Sequence, residues 1–388
     1  MADATYNRNS NKKLKLMLTA GTFRPKRLNL IKNDKEQDFA FTLVGDYFDQ
    51  GDGNRIINAN INNLKYADEA DTTYVNNIFF SDSKSTDERL FVLSSDFAQA
   101  SIYGHFDVPS MLNSFVGLLT SQLPVLGVEP SSTDDREHEN SFYYDISITD
   151  GKPLAHFLDI PIAINEESKI KGMFDDRERQ FSIDARINNL AFGGRRFRSL
   201  SIDGKSSDKN VDLKAQIFKP TVTDPKTFKY EDTTDDVVIR LNANICKDMV
   251  KSVVNWNNFK KDEPLMGMVR VDAGLFRDDN GELNLEAKIH NDSIIHNNQT
   301  WHITEGSISG NTNRLTAKNI SLYNDEQSLC IEGIAGKSAS DSLNVDVKNF
   351  ELATIFDIIN FKILSFGGKA TGTAHVTGLL SDPNAGGR

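Results

Sequence analysis

Two glycine–lysine–serine segments come closest to a nucleotide-binding signature. Gly204-Lys205-Ser206 and Gly336-Lys337-Ser338 both end like a phosphate-binding loop. That loop needs a further glycine five residues before its second glycine, so that backbone N–H groups can surround the phosphates. Ser199 and Ile331 occupy those two positions. We therefore predict a hairpin turn at each place.

An acidic segment at 278–282, with the sequence DDNGE, contains the oxygen ligands that calcium prefers. It lacks the twelve-residue ligand spacing and the flanking helices of a calcium-binding loop. It also lies between Leu275 and Leu283, in a region of alternating apolar residues. The sequence therefore favours a hairpin turn here.

The histidines offer no recognisable metal site. The closest set, His290, His296 and His302, is spaced at intervals of six, unlike H-E-x-x-H or a comparable zinc motif. We interpret these histidines as residues of loops and of the polar faces of strands. The chain also contains no G-x-S-x-G elbow and no catalytic cysteine signature. We expect no catalytic residue, no metal and no cofactor, and we predict that the protein is not an enzyme.

The chain has only two cysteines, Cys246 and Cys330. Two cysteines exclude a disulfide scaffold and any cysteine-based zinc site. We favour two buried thiols, while a single bridge between them stays open at this point.

The net charge excludes one class of partner. The formal charge is −11 and the pI is about 5.2, so the chain repels phosphate backbones and nucleic acid is not an expected partner. Apolar residues make up 38% and charged residues 26%, which indicates a folded chain. No apolar run reaches the roughly 18 residues that cross a bilayer. The N-terminus also lacks the apolar core of a signal peptide, so we expect a cytoplasmic protein or an internal piece of a longer chain.

Alternation of apolar and polar residues dominates the sequence and predicts β-strands. Residues 181–187, 237–245 and 343–347 are among the clearest examples. We count roughly twenty such strands with one apolar and one polar face, which favours an antiparallel meander. Polar loops suggest three β-rich segments, 1–128, 129–236 and 237–388, which together could form one continuous domain.

Four segments have helical rather than alternating periodicity: 108–126, 153–159, 247–254 and 351–363. The first and the last are strongly apolar on one face. They could be core helices, or they could plug or line an open apolar channel. We single out Leu352, Ile355, Phe356 and Ile359 as candidates for such a cap or plug.

A short motif, Ile or Val followed by any residue and then Gly, recurs at irregular spacing. Glycine there marks either a turn or a close approach of two backbones, and we favour hairpin turns. The glycines concerned are Gly104, Gly172, Gly204, Gly310, Gly333 and Gly378.

A large open sheet curls or splits when it exceeds about ten strands. We therefore predict an all-β fold with a few short helices, in which an elongated antiparallel sheet curls lengthwise into a groove. The alternative is that the apolar faces pack against each other in a closed core.

Several segments, in this order, resemble one protein family. They lie at 94–126, at 160–205, at 256–276, at 298–336, which includes NQTWHITEGSISG, and at 342–380. Together they resemble the Bacteroidetes branch of the TamB family, the translocation and assembly module proteins of the AsmA-like group. The family fold is a curled sheet called a β-taco.

The resemblance implies a function that the composition does not show. Family members are envelope proteins with an N-terminal inner-membrane helix and a periplasmic body, and they are implicated in moving phospholipids toward the outer membrane. This chain would be an internal, periplasmic segment without that helix. Its partners would be phospholipid acyl chains and an outer-membrane barrel protein. The family supplies no catalytic residues.

On this hypothesis the clearest alternations line a lipid groove. The groove candidates are Phe181, Ile183, Ile187, Val237, Ile239, Leu241, Leu283, Leu285, Ile289, Leu343, Val345 and Val347. Two other functions stay open. One is a chaperone-like factor in outer-membrane protein assembly and secretion, and the other is an extracellular β-protein that binds or cleaves carbohydrate.

Overall fold

The computed structural model describes residues 2–7, 12–27, 36–51, 53–69, 71–127, 140–160, 162–164, 166–192, 195–207, 209–219, 237–338, 340–351, 368–379 and 382–387. The chain divides into two compact units, which we describe separately. Unit 1 comprises Met1–Leu118, Glu129–Asp208 and Ile217–Lys219, and unit 2 comprises Leu119–Val128, Lys209–Gln216 and Pro220–Arg388.

Unit 1 is a meander of long antiparallel strands. Its strands are β1 (Ala2–Asn7), β2 (Lys12–Phe23), β3 (Asp38–Gly51), β4 (Asn54–Ala67), β5 (Thr72–Lys84), β6 (Arg89–Ser95), β7 (Ala98–His105), β8 (Ser141–Ile148), β9 (Ile162–Ile164), β10 (Ser168–Asp175), β11 (Gln180–Phe192) and β12 (Arg195–Ser206). Each of β1 to β7 pairs with the next strand. β8 then pairs with β10, β10 with β11, and β11 with β12. The short strand β9 also pairs with β11, end to end with β10.

Two helices interrupt this meander. α1 (Val108–Ser121) follows β7, and α2 (Lys152–Leu158) connects β8 with β9. Asp107 caps α1, because its Oδ2 accepts a hydrogen bond from Ser110 N at 3.2 Å. α2 has a proline in its first turn and ends at Asp159 in the left-handed conformation. A 3₁₀ turn, Pro124–Leu126, follows α1. Helical structure at 108–126 and at 153–159 is thereby confirmed.

Unit 2 repeats the same antiparallel plan. Its strands are β13 (Val211–Lys219, of which residues 211–216 belong to this unit), β14 (Val237–Cys246), β15 (Met249–Asn257), β16 (Leu265–Arg277), β17 (Leu283–Ile289), β18 (Asp292–His296), β19 (Gln299–Ile303), β20 (Gly306–Asn311), β21 (Arg314–Tyr323), β22 (Ser328–Gly336), β23 (Leu343–Glu351), β24 (Lys369–Leu379) and β25 (Asp382–Gly387). β17 and β18 both pair with β16, and β19 and β20 both pair with β21. Each of these two pairs is therefore one long strand with a short interruption.

The observed pairing confirms the predicted fold class, nearly all β with antiparallel strands and a few short helices. Within each unit, this antiparallel pairing is compatible with a sheet that curls into a groove. One predicted helix is wrong. Residues 247–254 form a turn and then β15, because Lys247 and Asp248 take φ values of 49° and 63° and close a hairpin. The other predicted helix, 351–363, lies almost entirely outside the described residues.

The predicted turns are mostly confirmed. The acidic segment at 278–282 joins β16 to β17, where Asp278 N donates to Glu282 O at 3.0 Å. Residues 337 and 338 lie between β22 and β23. Gly204-Lys205-Ser206 is an exception, because these residues are the last three of β12. Ile183 pairs with Gly204, so the alternation of β11 and β12 continues through the segment.

All six glycines of the recurrent motif lie within strands, so the interpretation as hairpin turns is wrong. At Gly104, Gly172 and Gly333, an added Cβ would collide with a backbone oxygen of the neighbouring strand. Gly104 and Gly333 also have φ values of 142° and 129°. These glycines mark close approaches of strands, where a side chain would not fit. Gly310, next to the tight β20–β21 hairpin, has φ 132° and shows the same close approach, to Arg314 O of β21.

A second motif recurs at kinks in the long strands. An asparagine in the left-handed conformation separates two apolar residues that are three positions apart, instead of the usual two. The four examples are Ile61-Asn62-Asn63-Leu64, Ile187-Asn188-Asn189-Leu190, Ala317-Lys318-Asn319-Ile320 and Val347-Lys348-Asn349-Phe350. The extra residue forms a bulge, and it lets both apolar side chains stay on the same side of the sheet.

At three of these bulges a side-chain hydroxyl accepts a hydrogen bond from a backbone N–H group. Ser168 Oγ accepts a hydrogen bond from Asn188 N at 2.9 Å. Thr304 Oγ1 accepts from Ser321 N and Thr371 Oγ1 accepts from Asn349 N, both at 3.0 Å. Each hydroxyl satisfies a backbone donor that the bulge leaves without its partner in the ladder.

Candidate functional site: the apolar faces of the two units

One face of unit 2 is apolar across consecutive strands, and we call it the unit 2 apolar face. Cross-strand partners lie on the same face of a sheet, so the pairing traces it directly. The traced partners run from Leu241 through Val254 to Val269, from Ala273 through Ala287 and Ile308 to Ala317, and from Ile331 through Val345 to Ala374. The opposite face carries Arg240, Asn242, Lys251, Glu286, Lys288, Glu332 and Asp346.

The pairing brings all nine unit 2 candidates to this face. Leu285 lies opposite Leu275, Ile289 opposite Val271, and Leu343 opposite Val376. The other candidates are Val237, Ile239, Leu241, Leu283, Val345 and Val347, which alternate with polar residues along the same strands.

These side chains are not enclosed. Eight of the nine candidates are half-buried, and Leu283, near the β16–β17 turn, is 38% exposed. The buried residues of this face are the small Ala287, Ala317 and Ala335 together with Trp301 and Phe350, while Val211 and, on the opposite face, Val238 are also buried in unit 2. The rings of Trp301 and Phe350 lie 5.0 Å apart. The larger aliphatic side chains therefore leave apolar surface accessible.

Unit 1 has an equivalent surface, the unit 1 apolar face. It includes Phe80, Leu93, Ala100, Ile146 and Ile170, which are traced by pairing from β5 through β6, β7 and β8 to β10. The candidates Ile183 and Ile187 lie on this face and are half-buried.

Phe181 is different, because it is 7% exposed and belongs to a closed aromatic group. It pairs with Phe174, whose ring stacks on Phe142 at 5.4 Å, and Phe142 lies 5.8 Å from Phe106. At this position the alternative of a closed core describes the surroundings better than an open groove wall.

α2 covers one end of the unit 1 apolar face. Leu154 packs against two buried clusters, one containing Leu64 and Val75 and the other containing Ile148 and Leu190. Both clusters include a residue that follows a bulge asparagine. The bulges therefore turn apolar side chains toward the helix.

His156 attaches α2 to the β4–β5 connection. Its Nδ1 lies 2.6 Å from Thr73 Oγ1, and its ring centroid lies 4.4 Å from that of Tyr66. Its Nε2 lies 3.1 Å from Asp68 Oδ1, close enough for a charge contact but outside hydrogen-bond geometry. These contacts hold the helix in one position on the sheet.

The other end of the strands has a different anchor, the buried side chain of Asn140. Its Oδ1 accepts from Asp107 N at 2.8 Å, and its Nδ2 donates to Ser110 Oγ and Ser114 Oγ at 3.1 and 2.9 Å. Its backbone N donates to Asp176 Oδ2 at 3.0 Å. Asn140 therefore ties the start of α1 to the start of β8.

A buried ion pair interrupts the unit 1 apolar face. Asp82 is 3% exposed and accepts two hydrogen bonds from Arg89, one from Nε at 2.6 Å and one from Nη2 at 2.8 Å. The guanidinium also lies over the Phe106 ring at 5.0 Å. The hydrogen bond to the Asp82 carboxylate raises the pKa of Arg89 above its ordinary value, so the guanidinium keeps its charge.

The cysteines and histidines do not assemble a reactive site. Cys246 and Cys330 are free and half-buried. His290 Nε2 lies 3.1 Å from Asp272 Oδ2, and the His302 ring lies 5.5 Å from that of Tyr323. Within the described residues, no three His, Cys, Asp or Glu side chains are placed to hold a metal ion.

The cap candidates Leu352, Ile355, Phe356 and Ile359 lie outside the described residues. The bulge motif was missed, although its signal is readable: an apolar spacing of three with asparagine in the third position, inside an alternating strand.

No protein-family model, curated protein or solved structure matches the chain. Among the described helices, none is both long enough and apolar enough to span a bilayer.

Proposed function

We propose that this chain is a non-enzymatic segment of a TamB-like cell-envelope protein that binds phospholipid acyl chains along its apolar faces. In the periplasm it would carry lipid between the inner and outer membranes. We expect an outer-membrane barrel protein as its partner.

The observation that supports this proposal is the accessibility of the unit 2 apolar face. A closed core buries its large aliphatic residues, whether or not small residues beside them are buried. Here Leu241, Leu285 and Val345 are half-buried, while Ala287 and Ala317 are buried. An acyl chain laid over such a surface would remove the remaining apolar area from water, at about 25 cal/mol per Å².

The mechanism needs no chemical step. Acyl chains would lie across the strands on the apolar face, where consecutive strands are about 4.8 Å apart. Head groups would stay in water at the strand ends. Movement would follow a gradient or a partner, because successive strands offer similar apolar contacts and none holds the chain in a single position.

Lipid extraction followed by mass spectrometry tests the proposal. The chain is purified without detergent, and the extracted lipid is compared with that from Leu285→Glu. Glu286→Gln, next in sequence and on the opposite face, is the matched control. We expect phospholipid with the wild type and the control, and much less with Leu285→Glu.

Two results would refute the proposal. One is a wild-type chain that carries no lipid and takes none up from vesicles. The other is capture of unfolded outer-membrane proteins with no lipid, which would favour the chaperone-like alternative.

A further inference from the structure

A row of cations crosses the end of unit 1, on the same face as its apolar residues. The pairing places Lys12 opposite Asp49, Asp49 opposite Arg55, Arg55 opposite Lys84, and Lys84 opposite Arg89. Arg55 and Arg89 are each two residues from an apolar residue of their strand, Ile57 and Phe91, and so they point to the apolar side. We call Lys12, Arg55, Lys84 and Arg89 the basic rim.

Carboxylates neutralise only part of the basic rim. Lys12 Nζ lies 3.4 Å from Asp49 Oδ2, and Arg89 is held by Asp82. Arg55 and Lys84 form no ion pair within the part of the chain that the structure describes. Moreover, Arg55 Nε is buried and has no hydrogen-bond partner there. Two positive charges therefore remain, and one of them includes a buried donor that lacks an acceptor.

This arrangement is unfavourable unless an anion binds to it. Like charges directly opposite each other destabilise a strand pair, and a buried N–H without an acceptor loses the hydrogen bond that water would give it. An anion with several oxygens would relieve both costs. A phosphate group fits best, because arginine and lysine on neighbouring strands can donate to different oxygens.

We propose that Arg55 and Lys84 bind a phosphate group, with Arg89 beside them, at the end of the unit 1 apolar face. The inference deepens the proposed function and rests on it for the source of the anion. The phosphate would be the head group of a lipid whose acyl chain lies on Ile57, Phe80 and Phe91. Free phosphate has the same chemistry, and the experiment below separates the two sources.

Titration calorimetry with three probes tests this assignment: palmitoyl lysophosphatidic acid, monopalmitoylglycerol and inorganic phosphate. The variant is Arg55→Gln with Lys84→Gln. The matched control is Lys13→Gln with Lys15→Gln, which removes the same charge from the opposite face of β2. We expect the wild type and the control to bind the phospholipid about tenfold more tightly than the neutral lipid. The variant should lose that preference and bind the neutral lipid unchanged.

The outcomes distinguish phosphate binding at the basic rim from acyl-chain binding on the unit 1 apolar face. Suppose that inorganic phosphate binds the wild type but not the variant, and that the lipid binds no more tightly than inorganic phosphate. This result would support the basic rim and refute the proposed lipid function. Equal wild-type affinity for the two lipids would overturn the assignment, as would a phosphate preference that survives in the variant. If circular dichroism shows that the double variant does not fold, Lys84→Gln alone replaces it. Lys84 is exposed, and we expect about a threefold loss.

Discussion

Substitution of Leu241 by glutamate separates an open apolar face from a closed core. Leu241 lies opposite Val254 in the middle of β14 and is half-buried. On an open face the glutamate keeps its hydration, so the chain should lose only about 1–2 kcal/mol of unfolding free energy through the missing apolar burial. The free energy of lipid binding should decrease by more than the free energy of unfolding. A hydrated carboxylate would displace about three methylene groups, each worth about 0.8 kcal/mol of burial, or about 2.4 kcal/mol in all. That loss corresponds to roughly 50-fold weaker binding.

Fluorescent acyl-chain binding and urea unfolding measure the two effects on the same preparations. Asn242→Glu is the matched control, since residue 242 is adjacent, exposed and on the opposite face. It should change neither quantity by a measurable amount. If Leu241→Glu unfolds the chain, the side chain belongs to a closed core and the reasoning fails. Unchanged acyl-chain binding in a folded variant would contradict it equally.

Three further predictions concern the framework. Asp82→Asn should destabilise the chain by about 3–5 kcal/mol in urea unfolding, because Arg89 would be left buried without its carboxylate, and a loss below 1 kcal/mol would contradict a buried pair. Asn349→Ala should lower the free energy of unfolding by about 1 kcal/mol, and Asn349→Gly should lower it much less, because only the alanine adds strain at φ 49°. Equal losses in the two variants would exclude strain as the cause. Burial raises the pKa of Tyr144 above 10.0, and its hydroxyl donates to Ser182 O at 2.9 Å. The raised folded-state pKa means that this stabilisation is complete below about pH 10 and is lost as the pH rises through the folded-state value. Unfolding measured from about pH 9 to 12 should show a loss that Tyr144→Phe lacks.

The fold was predictable because apolar and polar residues alternate along each strand, and this two-residue period identifies a strand without knowledge of its partners in the sheet. Alternation at 237–245 and 343–347 identified both the strands and the residues that share a face. The failure at 247–254 has a local cause. Lys247-Asp248 lacks the glycine that usually marks a two-residue hairpin turn with two positive φ values, and the valines that follow suit one face of a helix as well as a strand.

The candidate site was only partly predictable, because exposure depends on what covers a residue. Phe181 and Ile183 look alike in sequence, yet the first is buried among Phe174 and Phe142 and the second is half-buried. Long-range pairing also decides which charges meet. The row from Arg55 to Lys84 exists only because β4 and β5 pair in one register, and that register cannot be derived from composition or spacing.

The central claim is that the apolar face, and not its reverse, contacts lipid. Photo-crosslinking tests it directly when benzoylphenylalanine is placed in turn at Leu343, Asn344, Val345, Asp346 and Val347 of β23 and the chain is irradiated with radiolabelled phospholipid vesicles. We predict strong lipid labelling at Leu343, Val345 and Val347 and little at the two positions between them. Equal labelling at all five positions, or none at any of them, would contradict the account.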